Sequence, residues 1–426
     1  MGFYKEIDFQ ETEIGKIPKE WSVVNLHNVV DSQNDIVAGP FGSNLKVVDY
    51  RQEGVPIIRL QNIERNEFIN KDIKYTSQKK AEELIYHSYK PGDIVLAKLG
   101  DPLGKTCIIP DYMEEGIVVA DVVRIRISPK KTVNKFIEYI LNSSNCSNQL
   151  YKETIGSTRP RVNISQIRNL KIPLPSLSEQ RQIASILSRV DDDIQKTDEI
   201  IQKTQLMKKG LMQELLTKGI GHMEFKYSEE LGCEIPNEWE TDYLGKVCEK
   251  RQESIIPKGD GIPFIGLEHI ESGQTYLKGY PLDYELKSMK SKFYPNDILY
   301  GKLRPYLDKA VLADMEGICS TDILVFKPIK EKLDPRFLVY LIHTNRFISH
   351  SVSSTSGTNH PRTSWQAIKR FLLAIPPITE QNQIATILSR VDDQIEKERQ
   401  TKEQLEKLKK GLMRIFLTGQ VRAKVK

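Results

Sequence analysis

The sequence is poor in cysteine and has no long apolar run. Its cysteines are scattered and include no Cys-x-x-Cys pair, which argues against a disulfide framework and a structural zinc site: Cys107, Cys146, Cys233, Cys248 and Cys319. No apolar stretch approaches the roughly 20 residues that cross a bilayer. The first ten residues include Lys5, Glu6 and Asp8 and show no secretory-signal pattern. We therefore expect reduced cysteines, no membrane span and a cytoplasmic protein.

Over most of the chain, neither positive nor negative charge is in clear excess. The net charge is +5 for 426 residues, but residues 396–426 hold ten Lys and Arg against four Glu, so the remainder carries a net charge of −1. Overall charge therefore does not predict nucleic-acid binding, and phosphate contacts would have to come from local clusters. The length fits two domains with connecting elements.

The chain contains an internal duplication. Residues Ile17 to Trp21 recur as Ile235 to Trp239, an offset of 218, whereas Glu179 to Asp192 recur as Glu380 to Asp393, an offset of 201. The two halves therefore differ in length in their first parts and match closely in their last parts. We interpret the matched segments as contacting the same kind of partner twice, and the divergent segments as binding different ligands.

Each matched segment predicts a long helix. The helix starts after Pro175 or Pro377, with Ser178 or Thr379 as the candidate N-cap, and Gly219 or Gly419 is the predicted stop. Apolar residues recur at steps of four and three, which is typical of a coiled-coil seam: Ile183, Leu187, Val190, Ile194, Ile201, Leu211 and Leu215, then Ile384, Leu388, Val391, Ile395, Leu405, Leu412 and Phe416. About 39 residues would make a rod of roughly 58 Å.

The seam is interrupted by polar residues such as Lys208 and Lys409. We expect the two helices to pair with each other in antiparallel fashion, because each must bury its stripe. The alternative is that each helix packs on its own domain. Mid-helix Gly210 and Gly411 predict a kink or a close helix crossing.

The first part of each half predicts an α+β domain. Runs rich in β-branched residues indicate strands: Val55 to Leu60, Ile94 to Ala97, Ile117 to Ile127, Ile298 to Leu303 and Ile323 to Lys327. Helices are expected over Asn134 to Leu150 and Pro335 to Ser349, and residues 219–228 are expected to be a polar link. The predicted fold is therefore α+β, with two similar domains joined by two long antiparallel coiled-coil helices and an internal pseudo-twofold.

These features resemble the specificity subunits of type I restriction-modification systems over essentially the whole chain. Gly39 to Lys46, followed by Val55 to Arg59, is similar to the start of many target recognition domains, and residues 173–183 look like the start of the family's helical regions. The second half has no Gly-Pro-Phe-Gly-Ser, so that loop's role is not carried over to residues 250–262. The resemblance implies these domains: target recognition domain 1 at 1–177, helical spacer 1 at 178–218, target recognition domain 2 at 219–378 and helical spacer 2 at 379–426.

The resemblance also implies partners. The chain would bind a split site on double-stranded DNA and dock two modification subunits, which bind S-adenosylmethionine and methylate adenine. Restriction subunits using ATP and Mg²⁺ would join for cleavage. No cofactor is expected on this chain. The length of the rods, about 1.7 turns of DNA at ~34 Å per turn, would leave unread base pairs between the two half-sites.

Residues for catalysis are not apparent in the sequence. It has no Asn/Asp-Pro-Pro-aromatic run for an amino-methyltransferase and no Gly-rich turn for S-adenosylmethionine, and the histidines lack metal-ligand spacing. Gly100 to Thr106 resembles a phosphate-binding loop, but it has three residues between its glycines where the motif needs four. We therefore expect a protein that is not an enzyme.

The candidate DNA-binding residues are loop residues with amide, hydroxyl or cationic groups, because these side chains pair with base edges and phosphates. They are Ser43, Asn44, Lys46, Arg59, Lys98, Lys105, Thr158, Arg159 and Arg161 in the first half, and Lys302, Arg304, Lys309, Thr358, Asn359, His360 and Arg362 in the second. The alternative for any one of them is an ordinary solvated turn residue. The repeated Pro-Arg at 160–161 and 361–362 can equally anchor a turn. Trp21 and Trp239 are expected in the core.

Two other functions compete with this interpretation. One is a self-sufficient DNA methyltransferase or nuclease, which the missing motifs disfavour. The other is a coiled-coil scaffold whose duplicated domains do not bind DNA.

Overall fold

The computed structural model describes residues 3–152, 154, 159–258, 261–282 and 288–423. The chain forms two compact units: unit 1 comprises Met1–Lys196 with Thr401–Lys426, and unit 2 comprises Thr197–Gln400. Both boundaries fall inside a long helix. Each unit therefore contains one globular domain, the beginning of one long helix and the end of the other.

In each half of the chain, most of the short helices follow the strands of the domain, and one long helix comes after the domain. Over the described residues the α-helices are α1 (Gln78–Glu83), α2 (Asn134–Leu141), α3 (Ser144–Lys152), α4 (Ile164–Arg168), α5 (Leu177–Lys218), α6 (Leu244–Val247), α7 (Pro335–Ile342), α8 (Asn345–Ser353), α9 (Trp365–Ile368) and α10 (Ile378–Leu417). The long helices α5 and α10 contain 42 and 40 residues, about 63 and 60 Å at 1.5 Å per residue. No helix in the described ranges has the length and apolarity of a membrane span.

The strands are short. In unit 1 and at the start of unit 2 they are β1 (Phe3–Lys5), β2 (Phe9–Thr12), β3 (Gly15–Pro18), β4 (Ser22–Asn25), β5 (Ile36–Ala38), β6 (Val55–Ile58), β7 (Ile63–Glu64), β8 (Glu67–Phe68), β9 (Lys74–Thr76), β10 (Ser88–Tyr89), β11 (Ile94–Ala97), β12 (Thr106–Ile108), β13 (Gly116–Val118), β14 (Val122–Ile125), β15 (Lys171–Leu174), β16 (Phe225–Ser228), β17 (Cys233–Pro236) and β18 (Glu240–Tyr243). The remainder are β19 (Cys248–Lys250), β20 (Ser254–Ile255), β21 (Phe264–Ile265), β22 (Lys290–Phe293), β23 (Ile298–Gly301), β24 (Ala310–Leu312), β25 (Gly317–Cys319), β26 (Ile323–Pro328), β27 (Leu372–Ile375) and β28 (Val421–Ala423).

Two sheets form the domain of each unit. In unit 1 the central sheet has the order β12-β11-β14-β5 and the second sheet β10-β13-β6-β9; in unit 2 they are β24-β23-β26-β19 and β20-β22-β25-β21. One parallel pair occurs in each second sheet, β6 with β13 and β21 with β25. The central sheets have one strand order, and β10-β13-β6 corresponds to β22-β25-β21, so the two domains share one fold; the second sheets differ in the fourth strand, which is β9 beside β6 in unit 1 and β20 beside β22 in unit 2.

The central sheet is buried on both faces. In β11, Ile94 and Leu96 join a core with the helices, whereas Val95 joins a separate core with the second sheet. In β23, Ile298 belongs to the helix-side core and Leu299 to the other. Because both faces exclude water, these strands are continuous apolar runs without an alternating polar face.

The long helices pack in antiparallel fashion within each unit. In unit 1, Ile183 and Leu187 near the start of α5 share one core with Phe416 and Leu417 at the end of α10. In unit 2, Leu215 at the end of α5 shares a core with the start of α10, including Ile384 and Leu388. Burying one such side chain contributes about 1.5–3 kcal/mol. The α+β fold and the antiparallel helix pairing are therefore confirmed, and the start of each helix also packs on its own domain.

A polar triad accompanies the helix pair in each unit. In unit 1, Asp191 of α5 accepts a hydrogen bond from the Tyr139 hydroxyl at 2.5 Å and lies 2.5 Å from the Nζ of Lys409 of α10. In unit 2, Asp392 of α10 accepts from the Tyr340 hydroxyl at 2.8 Å and lies 2.5 Å from the Nζ of Lys208 of α5. The two lysines that interrupt the seam thus pair with carboxylates of the other long helix.

Several local expectations need correction. Helix α5 begins at Leu177, one residue before the expected N-cap Ser178, because the Ser176 hydroxyl accepts the hydrogen bond from the Glu179 N–H. The second long helix likewise begins at Ile378, so Thr379 lies inside its first turn. The predicted stops are correct, since Gly219 and Gly419 have left-handed φ values of 68° and 71°.

The mid-helix glycines do not mark a close crossing. A Cβ added at Gly210 or Gly411 would meet no described atom within 4 Å beyond the helix's own backbone, and α5 and α10 continue through them. The expected helix from Asn134 is two helices, α2 and α3, and the one from Pro335 is α7 and α8. The expected polar link at 219–228 contains strand β16, which pairs with β17.

Candidate nucleic-acid interface

Loops leave one edge of the central sheet together in unit 1. Strand β11 ends at Ala97, which pairs with Val122 at the start of β14, and Val123 pairs with Ala38 at the end of β5. The segments 39–54, 98–105 and 119–121 therefore start or finish at this edge. Most candidate residues of the first half lie on these segments.

The loop before α4 joins the same edge. Leu99 and Arg161 form an isolated β-bridge, and the Val162 N–H donates to the Lys98 carbonyl at 3.0 Å. The Arg161 guanidinium donates to the Asp121 carboxylate at 2.9 Å with 55% of the arginine side chain exposed. Two cations and one anion thus meet at the sheet edge.

Lys98 is only partly accessible there. The pKa of its ammonium is below the usual lysine value, because the lowering by burial and by Arg161 exceeds the rise caused by Asp121. A second negative group, such as a phosphate, would favour the charged ammonium at this position.

Unit 2 repeats this arrangement at the end of β23. Leu303 and Arg362 form the equivalent bridge, the Thr363 N–H donates to the Lys302 carbonyl at 3.0 Å, and Arg362 donates to Asp322 at 3.0 Å. The repeated Pro-Arg therefore anchors a turn in both units, as one sequence-based alternative held. Each guanidinium nevertheless stays partly exposed, at 44% for the Arg362 side chain.

The loop that follows Gly39 is largely exposed. Ser43, Asn44 and Lys46 are all exposed, and the Ser43 hydroxyl donates to the Asn44 side chain at 3.3 Å. Sequence reasoning missed the apolar residues of this loop, which are Phe41, Val47 and Val48 at 83%, 82% and 79% exposure. The sequence signal that could have indicated their exposure is Gly39-Pro40-Phe41-Gly42, because glycine and proline on both sides of Phe41 are typical of a surface turn.

Besides Arg161 and Arg362, three candidate cations have partners inside the protein. Arg59 donates to the Asp72 carbonyl at 2.5 Å, Lys105 lies 2.6 Å from Glu64, and Lys309 donates to the Leu267 carbonyl at 2.6 Å. Burial raises the pKa of Glu64, but hydrogen bonds from Lys105 and from the Arg65 N–H lower it more, so the net pKa is below its usual value. These cations hold loops in place.

Of the remaining candidates, Lys302 is half-buried, and the others that the structure describes are exposed. Arg159, Arg304, Thr358, Asn359 and His360 all have exposed side chains. Thr158 lies outside the described residues. The Arg304 N–H donates to the Pro361 carbonyl at 2.8 Å, so Arg304 lies beside the segment that carries Thr358 to His360. These exposed candidates of unit 2 therefore lie close together at the end of β23.

The loop from Gly100 to Thr106 is not built to hold a phosphate. Three of its N–H groups are already used: those of Gly100 and Gly104 donate to the Pro160 and Ala97 carbonyls, and that of Leu103 donates to the Tyr151 hydroxyl. A phosphate cradle needs free N–H groups. The ion pair of Lys105 with Glu64 removes the cation as well.

No group of three or more metal-ligating side chains occurs in the described ranges. A pocket of about 250 Å³ in unit 2, lined in part by Tyr276, Tyr340, Asp392 and Arg336, is smaller than the ~300–1,000 Å³ usual for ligand sites. Trp21 and Trp239 are buried, and their indole N–H groups donate to Glu179 and Glu380. Both tryptophans are core residues, as predicted.

Comparisons with known proteins give one consistent result. The family model for the type I restriction modification DNA specificity domain matches residues 18–204 and 236–407. A putative type I restriction enzyme MjaX specificity subunit of Methanocaldococcus jannaschii is 30% identical, with 99% of this chain and 98% of that protein covered. The MjaVIII specificity subunit of the same organism is 29% identical over 100% of this chain and 98% of its own length.

Solved structures share the fold. The type I restriction-modification S subunit from M. genitalium superposes with a TM-score of 0.58 at 13% identity, covering 93% of this chain and 96% of that chain. A chain from a structure of a type I restriction-modification system, described for its complex assembly and conformational transition, gives 0.57 at 17% identity, covering 95% and 99%.

Proposed function

The chain belongs to the family of type I restriction-modification DNA specificity subunits, and from that premise we propose that it selects the DNA sequence for such an enzyme. It reads a bipartite site, one half-site per unit, and carries no catalytic centre of its own. Methylation and cleavage belong to partner subunits. The proposal places the protein in the cytoplasm.

One observation supports two different half-sites most directly. The sheet edge has the same backbone bridges and the same Arg-Asp pair in both units, formed by Arg161 with Asp121 and by Arg362 with Asp322. The exposed side chains differ: unit 1 presents the loop after Gly39, whereas unit 2 presents Arg304 and the segment ending at His360. Two domains with the same backbone arrangement but different exposed side chains are what we expect if each domain recognises a different DNA sequence.

The exposed groups have the chemistry for this task. Arginine and lysine pair with guanine edges and phosphates, asparagine pairs with adenine, and hydroxyls contact either. The proposed DNA contacts remain Ser43, Asn44, Lys46, Arg59, Lys98, Lys105, Thr158, Arg159, Arg161, Lys302, Arg304, Lys309, Thr358, Asn359, His360 and Arg362. We expect the exposed members to contact bases and the internally paired ones to hold the loops.

The helical parts carry the proposed docking sites. Unit 1 presents the start of α5 with the end of α10, and unit 2 presents the reverse combination. Two equivalent surfaces favour two copies of one partner, here two modification subunits that bind S-adenosylmethionine. Restriction subunits with ATP and Mg²⁺ complete the enzyme. We propose 1–177 and 219–378 as the target recognition domains and 178–218 and 379–426 as the spacers.

Reconstitution tests the proposal. The chain is co-purified with its modification subunits and incubated with DNA and S-adenosylmethionine, and methylated adenines are mapped by sequencing. A split recognition sequence with an unread gap is expected, and footprinting should protect both half-sites. Methyl transfer by the chain alone, or a complex with no sequence preference, would contradict it.

The scaffold alternative makes a different prediction in the same experiment. Domains that do not bind DNA would leave the footprint of the complex unchanged when exposed groups such as Arg304 or His360 are replaced by alanine. Loss of protection at one half-site in these variants would exclude the scaffold.

A further inference from the structure

The hairpin between β23 and β24 in unit 2 has an unusual backbone. Arg304 and Asp308 flank a single 3-10 turn, Pro305–Leu307, and both have left-handed φ values, 51° and 50°. Left-handed backbone is unfavourable for residues with a Cβ and is normally left to glycine. The turn therefore carries strain at Arg304, whereas aspartate, like asparagine, tolerates this region better.

The first half shows the unstrained form of the same hairpin. The repeat offset of 204 that relates β11 to β23 places Gly100 at the position of Arg304 and Gly104 at that of Asp308. Both glycines have positive φ, 127° and 77°. The turn therefore requires positive φ at these two positions, and unit 2 replaces the residue suited to it with arginine and aspartate.

One of the two replacements has a structural use. The Asp308 carboxylate lies 2.7 Å from the Nδ1 of His343, which directly follows α7, and the Asp308 carbonyl accepts from the Gly273 N–H at 2.9 Å. Pro305 is buried, and the turn packs against α8. These contacts hold the hairpin rigidly.

The other replacement has no such use. The Arg304 side chain is exposed and makes no hydrogen bond or ion pair with any described residue, although its backbone N–H is bound to Pro361. Beside it, Tyr306 is 54% exposed at the apex of the turn. A rigid turn thus holds a guanidinium and an aromatic ring out toward solvent at the proposed DNA edge. Strained residues of this kind cluster at ligand contacts.

We propose that Arg304 and Tyr306 are the base-reading tip of unit 2. Arg304 forms the paired hydrogen bonds to the O6 and N7 of a guanine in the major groove, and the Tyr306 ring packs against the neighbouring base edge. The inference rests on the proposed function and deepens it by naming residues and a base. Unit 1 has glycine and proline at the twin positions 100 and 102, so the contact belongs to one half-site only.

The test uses the assembled complex with its modification subunits. Arg304→Gly retains the turn, because glycine occupies the twin position, and removes only the guanidinium. We expect methylated-base mapping to show relaxed recognition at one G·C pair of one half-site, with the other half-site unchanged. Affinity for the cognate duplex should fall about 10- to 100-fold, the range for one paired contact to guanine.

Further variants separate the roles. Arg304→Asn, with a residue that tolerates left-handed backbone, should behave like Arg304→Gly, and Tyr306→Ala should weaken the same half-site while Tyr306→Phe retains it. The matched control is Asn296→Gly. Asn296 has a left-handed φ of 71° at the other end of β23, and its twin is Gly92. This control should leave specificity and affinity unchanged.

Two outcomes overturn the inference. If Arg304→Gly weakens cognate and unrelated duplexes equally and makes the salt dependence shallower, Arg304 is a phosphate contact. If specificity is unchanged in both arginine variants, the tip does not read bases. In either case the parent complex still recognises its site, whereas failure of the proposed function would appear as a parent complex without sequence preference.

Discussion

The Nζ of Lys409 lies 2.5 Å from the Oδ1 of Asp191. The lysine comes from the second long helix and the carboxylate from the first, and in unit 2 the same pair recurs with the origins exchanged, as Lys208 with Asp392. The hydroxyls of Tyr139 and Tyr340 bind the second oxygen of each carboxylate. In each unit, therefore, the aspartate belongs to the long helix of one sequence repeat, and the lysine that neutralises it belongs to the long helix of the other repeat.

Loss of either lysine should destabilise the unit that holds the aspartate. In unit 2 the side chains of Lys208 and Asp392 are 13% and 10% exposed, whereas those of Lys409 and Asp191 are 19% and 22% exposed. Lys208→Met should therefore lower the free energy of unfolding by about 3 kcal/mol, as for a broken buried ion pair, and Lys409→Met should lower it by less. Urea unfolding of the full chain measures both.

A double-mutant cycle checks that this loss reflects the pair. Adding Asp392→Asn to Lys208→Met should recover part of the stability, because the unpaired charge is gone, with a coupling above about 1 kcal/mol. A coupling near zero would mean that lysine packing alone matters.

Loss of Arg422 should likewise destabilise unit 1, because this residue holds Glu179 in the first turn of α5. Its guanidinium bonds Glu179 at 2.6 and 2.9 Å, Glu6 at 2.7 Å and Glu20 at 2.9 Å. Among the described residues, Arg422→Met leaves the buried Glu179 carboxylate with the Trp21 N–H as its one side-chain partner, so the free energy of unfolding should fall by about 3–5 kcal/mol. The control is Arg414→Met, at an exposed position of α10, which should change the free energy of unfolding little. Calorimetry of both variants measures the difference.

Glu6 should make the stability of unit 1 depend on pH. The Asp8 N–H lowers the pKa of Glu6 most; burial raises it, and Arg422 lowers it again, with a net value below the ordinary 4.5. A carboxyl group with a lowered folded-state pKa stabilises the fold above its unfolded-state pKa, and this stabilisation is lost as the pH falls through the folded-state value. The melting temperature of the Glu6→Gln variant should therefore be lower than that of the parent protein at pH 7, and the two should be equal in acid. A pH-independent difference in melting temperature would contradict this.

Gly39 should position the exposed loop of unit 1. A Cβ at Gly39 would lie 2.2 Å from the carbonyl carbon and oxygen of Val119, so Gly39→Ala must displace backbone. We expect a stability loss of about 1–3 kcal/mol and weaker binding of the half-site read by unit 1. Gly42→Ala is the control, because its Cβ would meet nothing within 4 Å. Equal DNA binding by the two variants would show that the loop position does not matter.

Thiol chemistry should be confined to one cysteine. Cys233 is exposed, whereas the other four are buried, and burial raises the pKa of Cys146 and of Cys319 to about 12. Because the thiolate is the reactive form, iodoacetamide at pH 8 should label only Cys233 in the native chain. Mass spectrometry locates the label, and Cys233→Ser should remove it. Native labelling of Cys146 would show that unit 1 opens.

Much of the architecture was predictable. The two long helices and the strands Ile94–Ala97 and Ile298–Gly301 follow from apolar spacing over neighbouring residues, and the helix stops at Gly219 and Gly419 follow from glycine chemistry. The candidate interface was predictable only as a set of polar loop residues. Composition does not tell Lys105, which is paired with Glu64, from Arg304, which has no partner among the described residues.

The amino-acid sequence by itself determined the duplication, the helices and the buried strands, because periodicity and β-branched runs act through neighbours along the chain. Only the tertiary structure decided that Lys409 and Lys208 pair with Asp191 and Asp392 of the other long helix, and that Arg304 stands at a left-handed position beside Pro361. These features depend on contacts between residues far apart in the chain, such as Lys409 with Asp191, and no local pattern encodes which distant side chain satisfies a buried charge.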